Sequence, residues 1–467
     1  MKKFVVIASI LLLAGCKMGK NYKGTEVQVP TDFRNGDSTF VVESNTLNID
    51  SLKVDSSGLD WYGIFQDPVL DSLIKQGLEH NQNLEVAAQN ILIAQYNLGI
   101  QRAELLPKIG AQAGAGRGNF QGVLLTDEIS TFYGLGTLNW ELDFWGKYRR
   151  LNESARAQLL ATTSGYRATQ ISLVSNIATT YFSLLEQKER LRISENTLAL
   201  RDSMLYIIEA RFDKGIIAEI DLYQAQIQQA IAASNVPISQ RAVAQLEHQL
   251  HTLTGTNPNG IDVQTTILKY DTAFEIPVGL PSNLLARRPD ILAAEQQLIA
   301  QNAMIGAAQA NRLPSISLTG LLGVASNELS ELTSGDLAWN LSGSLLSPIF
   351  YWGQNKRRVD VERAKTEQAV KSYEATVIGA FQEVEDILVE IKTLKVELEA
   401  RNNHVKAALG AQNLSQRRYD DGVTSYLEFL ESQRQAFEAQ LAYVTAKQSL
   451  LSAYAKLYKA LGGGWNL

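Results

Sequence analysis

The chain has 467 residues, of which 45% are hydrophobic and 20% charged, and its formal net charge is −6. These values lie close to globular averages, which excludes a disordered chain and a polytopic helical membrane protein. An acidic chain offers no positive surface to phosphate groups, so nucleic acid is excluded as a partner class.

The start of the chain, over 1–15, predicts a targeting segment. Lys2 and Lys3 precede an apolar run of about ten residues, too short for the ~20 residues that a membrane-spanning helix needs. The run ends in Leu13-Ala14-Gly15-Cys16, which contains the only cysteine. This ending resembles the lipobox of bacterial lipoproteins, in which the cysteine is acylated, for example with palmitate, and becomes the mature N-terminus. The alternative is an ordinary secretory signal with a chance cysteine.

An internal duplication organises the rest of the chain, and the numbering of its two copies differs by a constant 207. This repeat offset relates Gly99 to Gly306, Pro107 to Pro314, Trp145 to Trp352, Arg211 to Arg418, Gly215 to Gly422 and Gly255 to Gly462. We therefore expect an extended N-terminal segment over 16–66, a first repeat over 67–255, a linker over 256–279 and a second repeat over 280–467. Each repeat reads as a helix, two strands, a very long helix, a turn and a helix.

The predicted strands cover about 108–120 and 131–145 in the first repeat, and about 314–326 and 337–351 in the second. Apolar and polar residues alternate along them: Leu138, Trp140 and Leu142 share one face, whereas Thr137 and Asn139 lie on the other. Runs of about 10 residues with one apolar face are typical of transmembrane β-strands. A soluble, half-buried hairpin is the alternative interpretation.

Proline-free runs follow each Trp-Gly pair and predict long helices over 147–211 and 354–418. Apolar residues recur along them every seven positions, which indicates coiled-coil packing. At a rise of 1.5 Å per residue each helix would be roughly 100 Å long and must pack against other long helices. Four strands per chain cannot close a membrane barrel, since the smallest have about eight. The chain must therefore pool strands with copies of itself, although this reasoning does not give their number.

Three segments resemble the TolC family of outer-membrane efflux proteins, and within it the lipoprotein branch. They are Leu285-Ala286-Arg287-Arg288-Pro289-Asp290-Ile291, Arg418-Tyr419-Asp420-Asp421-Gly422 and Leu461-Gly462-Gly463-Gly464-Trp465. The resemblance implies a mainly α protomer with transmembrane β-strands, and a homotrimer that forms a twelve-stranded β-barrel and an α-helical periplasmic tunnel.

The same resemblance implies a lipid-anchored protein of the cell outer membrane that extends into the periplasm. It would act as the passive exit duct for drugs, other small toxic compounds or metal ions. Its partners would be a periplasmic adaptor (membrane fusion) protein and an inner-membrane pump of the resistance-nodulation-division type. Two alternatives stay open: a TolC-like channel for protein secretion, and a coiled-coil periplasmic lipoprotein scaffold without a pore.

The resemblance also implies a periplasmic gate at the two helix tips, around Gly215 and Gly422. The family's acidic rings match Glu428 and Glu431, whose i, i+3 spacing puts both carboxylates on one side of a helix. Three copies around a narrow pore would form a strongly negative constriction. Two solvated surface acids are the alternative.

Asp221 and Tyr419 match an acid and a tyrosine that form a latch across the tip in this family. The family's arginine is replaced by Thr424. We therefore expect either a weaker latch or the use of another cation, such as Arg418.

No motif in the sequence predicts an enzyme. Of the four histidines only His248 and His251 are close in sequence, and no set of carboxylates or thiols accompanies them. No glycine-rich phosphate loop follows a predicted strand. We expect no catalytic residue, metal or cofactor.

Overall fold

The computed structural model describes residues 17–25, 30, 33–34, 65–120, 124–263, 265–270, 285–334 and 336–463. The predicted targeting segment, Cys16 and Trp465 lie outside these residues. The chain forms two units, the first drawn from Met1–Val27, Gln89–Ser164 and Ile291–Thr376 and the second from Gln28–Ala88, Gly165–Asp290 and Val377–Leu467. Among the described helices, none combines the length and the apolar character needed to cross a membrane.

Two helices occupy the place of the single helix predicted at the start of the first repeat. They are α1 (Pro68–His80) and α2 (Gln82–Ala103). Asn81 interrupts them because its backbone is extended, and its Oδ1 accepts a hydrogen bond of 3.0 Å from the Leu84 N–H. An asparagine in this conformation ends one helix and caps the next.

Two long helices of 67 residues each dominate the chain: α3 (Lys147–Asp213) and α6 (Gln354–Asp420). Both continue slightly beyond the predicted ends at 211 and 418. Each is followed by a returning helix, α4 (Glu219–Thr254) and α7 (Tyr426–Ala460). The helix α5 (Pro289–Ala310) opens the second repeat, with proline in the first turn, where it is tolerated.

Four strands form one antiparallel sheet in the order β1-β2-β3-β4. Their bounds are Lys108–Phe120, Leu124–Leu142, Ser315–Ser326 and Ala338–Leu346. The second strand begins earlier than the predicted residue 131, since backbone pairing with β1 does not require the apolar alternation on which the prediction relied. The fourth ends before the predicted residue 351, because Leu346 is paired with the first residue of β3 and Pro348 has no N–H to donate.

The duplication is visible in the backbone as well as in the sequence. Lys108 pairs with Asn139 in the first hairpin, and Ser315 pairs with Leu346 in the second. Ser315 and Leu346 are thus the repeat equivalents of Lys108 and Asn139. The two strand hairpins therefore have the same register.

The core of the second unit forms along the middle of the long helices. Ile177 and Leu184 of α3 and Val384 and Ile391 of α6 are at most 5% exposed and belong to one apolar cluster. These four residues belong to the apolar series that recurs every seven positions along the long helices. The seven-residue spacing thus places one apolar stripe of each long helix in the core.

A buried carboxylate lies in this core. Asp67 caps α1 by accepting hydrogen bonds from the N–H groups of Val69 and Leu70 through Oδ1. Its Oδ2 accepts hydrogen bonds from the hydroxyls of Tyr181, at 2.7 Å, and Tyr270. Burial raises the pKa of both tyrosines, and both therefore stay neutral. Asp67 thus connects the start of α1, the long helix α3 and the linker.

In the first unit, Arg150 holds the segment that follows the predicted anchor. Its side chain is 1% exposed and donates to the carbonyls of Met18 at 2.7 Å and Gly19 at 2.5 Å and to Asn21 Oδ1 at 3.0 Å. A side chain at Gly306 would put its Cβ 2.6 Å from the Met18 carbonyl oxygen. Residues 18–21 therefore fit only beside a glycine at this position.

Candidate functional site

Both helix tips use the same turn, displaced by the repeat offset. Gly215 and Gly422 have left-handed backbones, with φ of 68° and 72°. Each donates its N–H to the carbonyl three residues earlier, Phe212 at 2.8 Å and Tyr419 at 3.0 Å. The next N–H in each turn reaches the carbonyl five residues earlier, at 3.0 Å and 2.8 Å. Glycine allows this helix ending because it has no Cβ to clash at positive φ.

The helices that leave the two tips begin differently. Ser425 caps α7, and its hydroxyl accepts from the Glu428 N–H at 3.4 Å, whereas Ala218 before α4 has no side-chain cap. The repeat offset relates Asp221 to Glu428, so both first turns carry an acid at the equivalent position. Negative charge there is favourable because the helix dipole leaves its N-terminus partly positive.

Tyr419 lies inside a small apolar core at the tips. It is 8% exposed and belongs to the cluster Met204, Ile208, Ala225, Tyr419, Tyr426, Phe429 and Leu430. Its ring stacks on Phe429 with centroids 5.8 Å apart, and it packs against Tyr426 at 5.6 Å. Tyr419 is thus a packing residue as well as a polar one.

The cation that contacts Tyr419 is Arg211, whereas Arg418, which was one possible cation for the latch, lies beside Glu428. Nη1 of Arg211 donates to the Tyr419 hydroxyl at 3.1 Å, and its guanidinium carbon lies 5.2 Å from the ring centroid. Burial raises the pKa of Tyr419, whereas the charge and hydrogen bond of Arg211 lower it; the charge of Asp221 adds a smaller increase. The sequence contained a signal for Arg211, because it is the repeat equivalent of Arg418.

Asp221 lies near Tyr419 without binding it. Its negative charge raises the pKa values of Tyr419 and Tyr426. Within the residues that the structure describes, its carboxylate makes no hydrogen bond and no ion pair. Within one protomer, the hydroxyl of Tyr419 is thus bound by Arg211 and not by Asp221.

Glu428 is held by two residues of the second tip. Arg418 Nε lies 3.7 Å from Glu428 Oε1, and the hydroxyl of Thr424 donates a hydrogen bond to Oε2. The side chains of Arg418 and Glu428 are about half exposed, so water screens this pair. Thr424 thus orients the Glu428 carboxylate.

Glu431 is paired much more closely. Nε and Nη2 of Arg434 reach its two oxygens at 2.9 Å and 2.6 Å, and Gln435 donates at 2.9 Å. These hydrogen bonds lower the pKa of Glu431 to about 2. Arg434 also binds Glu438 at 2.6 Å. Sequence reasoning missed Arg434, although its i+3 spacing from Glu431 indicates a pair on one helix face.

Of the two histidines that are close in sequence, His251 is held by its neighbours. Both ring nitrogens of His251 are engaged at 2.8 Å, with the Thr256 hydroxyl and the Asn259 carbonyl. Over the described residues, no group of three or more histidine, cysteine, aspartate and glutamate side chains could hold an ion. His251 fastens the turn that begins the linker.

Comparison with known proteins extends the likeness over the whole chain. A sequence model described as outer membrane efflux protein matches twice, over residues 73–256 and 280–463. The antibiotic efflux pump outer membrane protein ArpC of Pseudomonas putida is 34% identical over 464 residues, which cover 97% of this chain and 94% of ArpC. The cation efflux system protein CusC of Escherichia coli is 30% identical over 466 residues, which cover 99% of each chain.

A solved structure agrees with these relatives. The crystal structure of the Campylobacter jejuni CmeC outer membrane channel superposes with a TM-score of 0.87 at 27% identity, covering 96% of this chain and 95% of that one. The fold is therefore that of an outer-membrane efflux channel. Because the family model accounts for most of both repeats, the chain belongs to the outer membrane efflux protein family.

Proposed function

We propose that this efflux protein is the exit duct of a tripartite pump, and that its partners are a periplasmic adaptor protein and an inner-membrane pump of the resistance-nodulation-division type. Two relatives are named for antibiotic and cation efflux. For this chain we propose drugs, other small toxic compounds or metal ions as cargo. The duct conducts passively, and the pump supplies the energy.

The observation that carries this proposal is the four-stranded sheet, whose edge strands β1 and β4 have no further partner among the described strands. Unpaired backbone groups are very unfavourable in lipid, so strands cross a membrane only as a closed barrel. Four strands are too few, since the smallest barrels have about eight. Sheets from several protomers must therefore join. We propose a homotrimer with twelve strands and a periplasmic tunnel built from the long helices.

We propose that the segment 1–15 is removed and that Cys16 is acylated. The next residue, Lys17, pairs with Glu153 at 2.6 Å on the first turns of α3. Arg150 holds the following residues on the same turns. This arrangement supports an anchor attached where β2 passes into α3. For the remaining chain we propose the division into repeats 67–255 and 280–467, joined by the linker 256–279.

We propose that the helix tips form the periplasmic gate and that Glu428 contributes most of its negative charge. Three copies around a pore would form a carboxylate ring, which attracts cations. Glu431 contributes less because Arg434, which it shares with Glu438, compensates part of its charge through two short hydrogen bonds. Arg418 lies farther from Glu428, at 3.7 Å, so the Glu428 charge is less compensated.

The two acids provide a matched pair for a test of the gate. In planar bilayers with a salt gradient, Glu428→Gln should move the reversal potential toward zero, because a less negative pore selects less strongly for cations over anions. Glu431→Gln should move it less. Equal shifts would show that Arg434 does not neutralise Glu431 in the assembled channel, and no shift in either variant would remove both acids from the pore.

The proposed duct is tested by conductance. Purified, acylated protein in a planar bilayer should give discrete current steps, and these should disappear when β4 is interrupted by Gly343→Pro, since proline cannot pair within a sheet. Protein that is correctly folded by circular dichroism but passes no current would refute the channel.

A further inference from the structure

Arg201 on α3 is a buried cation with no counterion in the described part of the chain. The residue is 4% exposed, and its Nη1 is a buried atom without a hydrogen-bond partner there. The ionisable neighbour that acts on it is Tyr426, whose own pKa burial raises to about 12, so that its phenol is neutral. A guanidinium stays protonated in proteins, and a buried charge without compensation strongly destabilises a fold.

A cavity of about 220 Å³ lies beside Arg201, between α3, α6 and α7. Its polar walls consist of amides and one hydroxyl, from Asn196, Thr197, Gln412, Asn413, Gln433 and Gln440. No acidic residue is among its described lining. Gln433 is 8% exposed, and its Oε1 also lacks a partner within the described residues. Rotation of this amide would present N–H donors to the cavity. The Thr197 hydroxyl already donates to the Ile193 carbonyl, and Gln440 Nε2 donates to the Ala436 carbonyl. The walls therefore offer one positive charge and the amide N–H groups of Asn196, Gln412, Asn413 and Gln433.

The repeat provides an internal comparison for Arg201. Its equivalent in the second repeat is Ala408, which is 6% exposed and packs with Ala436 and Ala439 in an apolar cluster. The same place in the second repeat is thus filled by a small apolar side chain. Packing of the repeat does not require a cation at this position, so the charge of Arg201 needs another explanation.

We infer that this cavity binds a small inorganic anion, such as chloride or phosphate, which neutralises Arg201. The guanidinium supplies the charge, and the surrounding amides supply N–H donors, which is the chemistry that recognises an anion. Water occupies about 30 Å³ per molecule in the liquid, so the cavity has room for one such anion and a few waters. The bound anion would connect α3, α6 and α7 across the bundle.

Bromide substitution tests the site directly. Crystals of the full, acylated chain soaked in sodium bromide should show an anomalous peak beside Arg201, and the peak should be lost in Arg201→Met. Thermal unfolding gives a second measurement that does not need crystals. At constant ionic strength, the wild-type midpoint should be higher in sodium chloride or phosphate than in sodium gluconate, whose bulkier organic anion lacks the compact shape of a small inorganic anion. A ligand that binds only the folded state raises stability with its concentration.

Three variants separate anion binding from packing. Arg201→Met should lose the difference between salts whatever its own stability, and Arg201→Lys should retain part of it. Arg241→Met, which changes an exposed arginine on α4, should behave like the wild type. The inference is overturned if no bromide peak appears and the midpoint is the same in all salts, since water alone then fills the cavity. It is also overturned if Arg201→Met keeps the peak or the salt difference.

Discussion

The register between neighbouring protomers can be predicted from the repeat and tested with pairs of cysteines. Inside one chain, β2 and β3 join the two repeats, and Leu138 pairs with Gly320. Adding the repeat offset to the first residue and subtracting it from the second gives Leu345 on β4 opposite Ala113 on β1 of the next protomer. The two hairpins of one chain already have registers related by this offset. If β4 of one protomer pairs with β1 of the next in the register that the offset gives, the sheet closes with a uniform register.

The geometry fixes the size of the expected effect. Residues directly opposite in an antiparallel pair have Cα atoms about 4.5–5.5 Å apart, whereas diagonal neighbours two residues away are about 7–8 Å apart. A disulfide requires about 4.4–6.8 Å. Within one chain, β1 and β4 are opposite edges of the sheet, three strand spacings of about 4.8 Å apart along it, so any link between them joins two protomers.

The variant Leu345→Cys with Ala113→Cys should form covalent dimers and trimers on oxidation in the membrane, read on a non-reducing denaturing gel. Leu345→Cys with Ala115→Cys is the matched control, because it changes the same residue types on the same face and should link only at background level. Efficient linking of the control alone would refute the register. Failure of both pairs in protein that is still oligomeric would show that β1 and β4 do not meet.

Three further predictions concern the tips and the core. Tyr419→Phe combined with Asp221→Ala should raise single-channel conductance or open time, since it removes the hydroxyl and the charge at the tip; unchanged currents would exclude both residues from the gate. Asp67→Ala should lower the free energy of unfolding by about 3 kcal/mol or more. The lost helix cap costs about 1 kcal/mol, and each of the two buried tyrosine hydroxyls left without an acceptor costs about 1–3 kcal/mol. A loss below about 1 kcal/mol in chemical unfolding would contradict the packing described. Tyr181 and Tyr270 have raised pKa values in the folded protein. Their contribution to the free energy of unfolding should therefore be constant below about pH 10, where tyrosine in the unfolded chain begins to ionise, and should fall above it. Unfolding midpoints that stay level to about pH 11 would contradict the burial of these tyrosines.

Sequence reasoning worked best where one pattern repeats many times. The heptads of the long helices and the alternation of the strands are averaged over many residues, so a single exception does not hide them. The constant repeat offset adds a second, independent signal, because two copies must satisfy the same backbone. For this reason both tip glycines were expected, and both have the left-handed backbone that such a turn requires.

Features that depend on single side chains were harder to predict. The sequence left open either a weaker latch or another cation such as Arg418, and only the packing of the two tips shows that Arg211 reaches Tyr419. The break at Asn81 was missed because a single capping residue leaves no periodic signal. The buried charge of Arg201 could not be recognised either, since an arginine on a long helix is ordinarily exposed.

The central claim is that several copies of this chain combine their sheets to form one pore. Native mass spectrometry of the purified, acylated protein measures the number of copies directly. The account predicts three chains per particle, in the same preparation that gives current steps in a bilayer. A particle containing a single chain would contradict the account, because one four-stranded sheet with two open edges cannot enclose a pore.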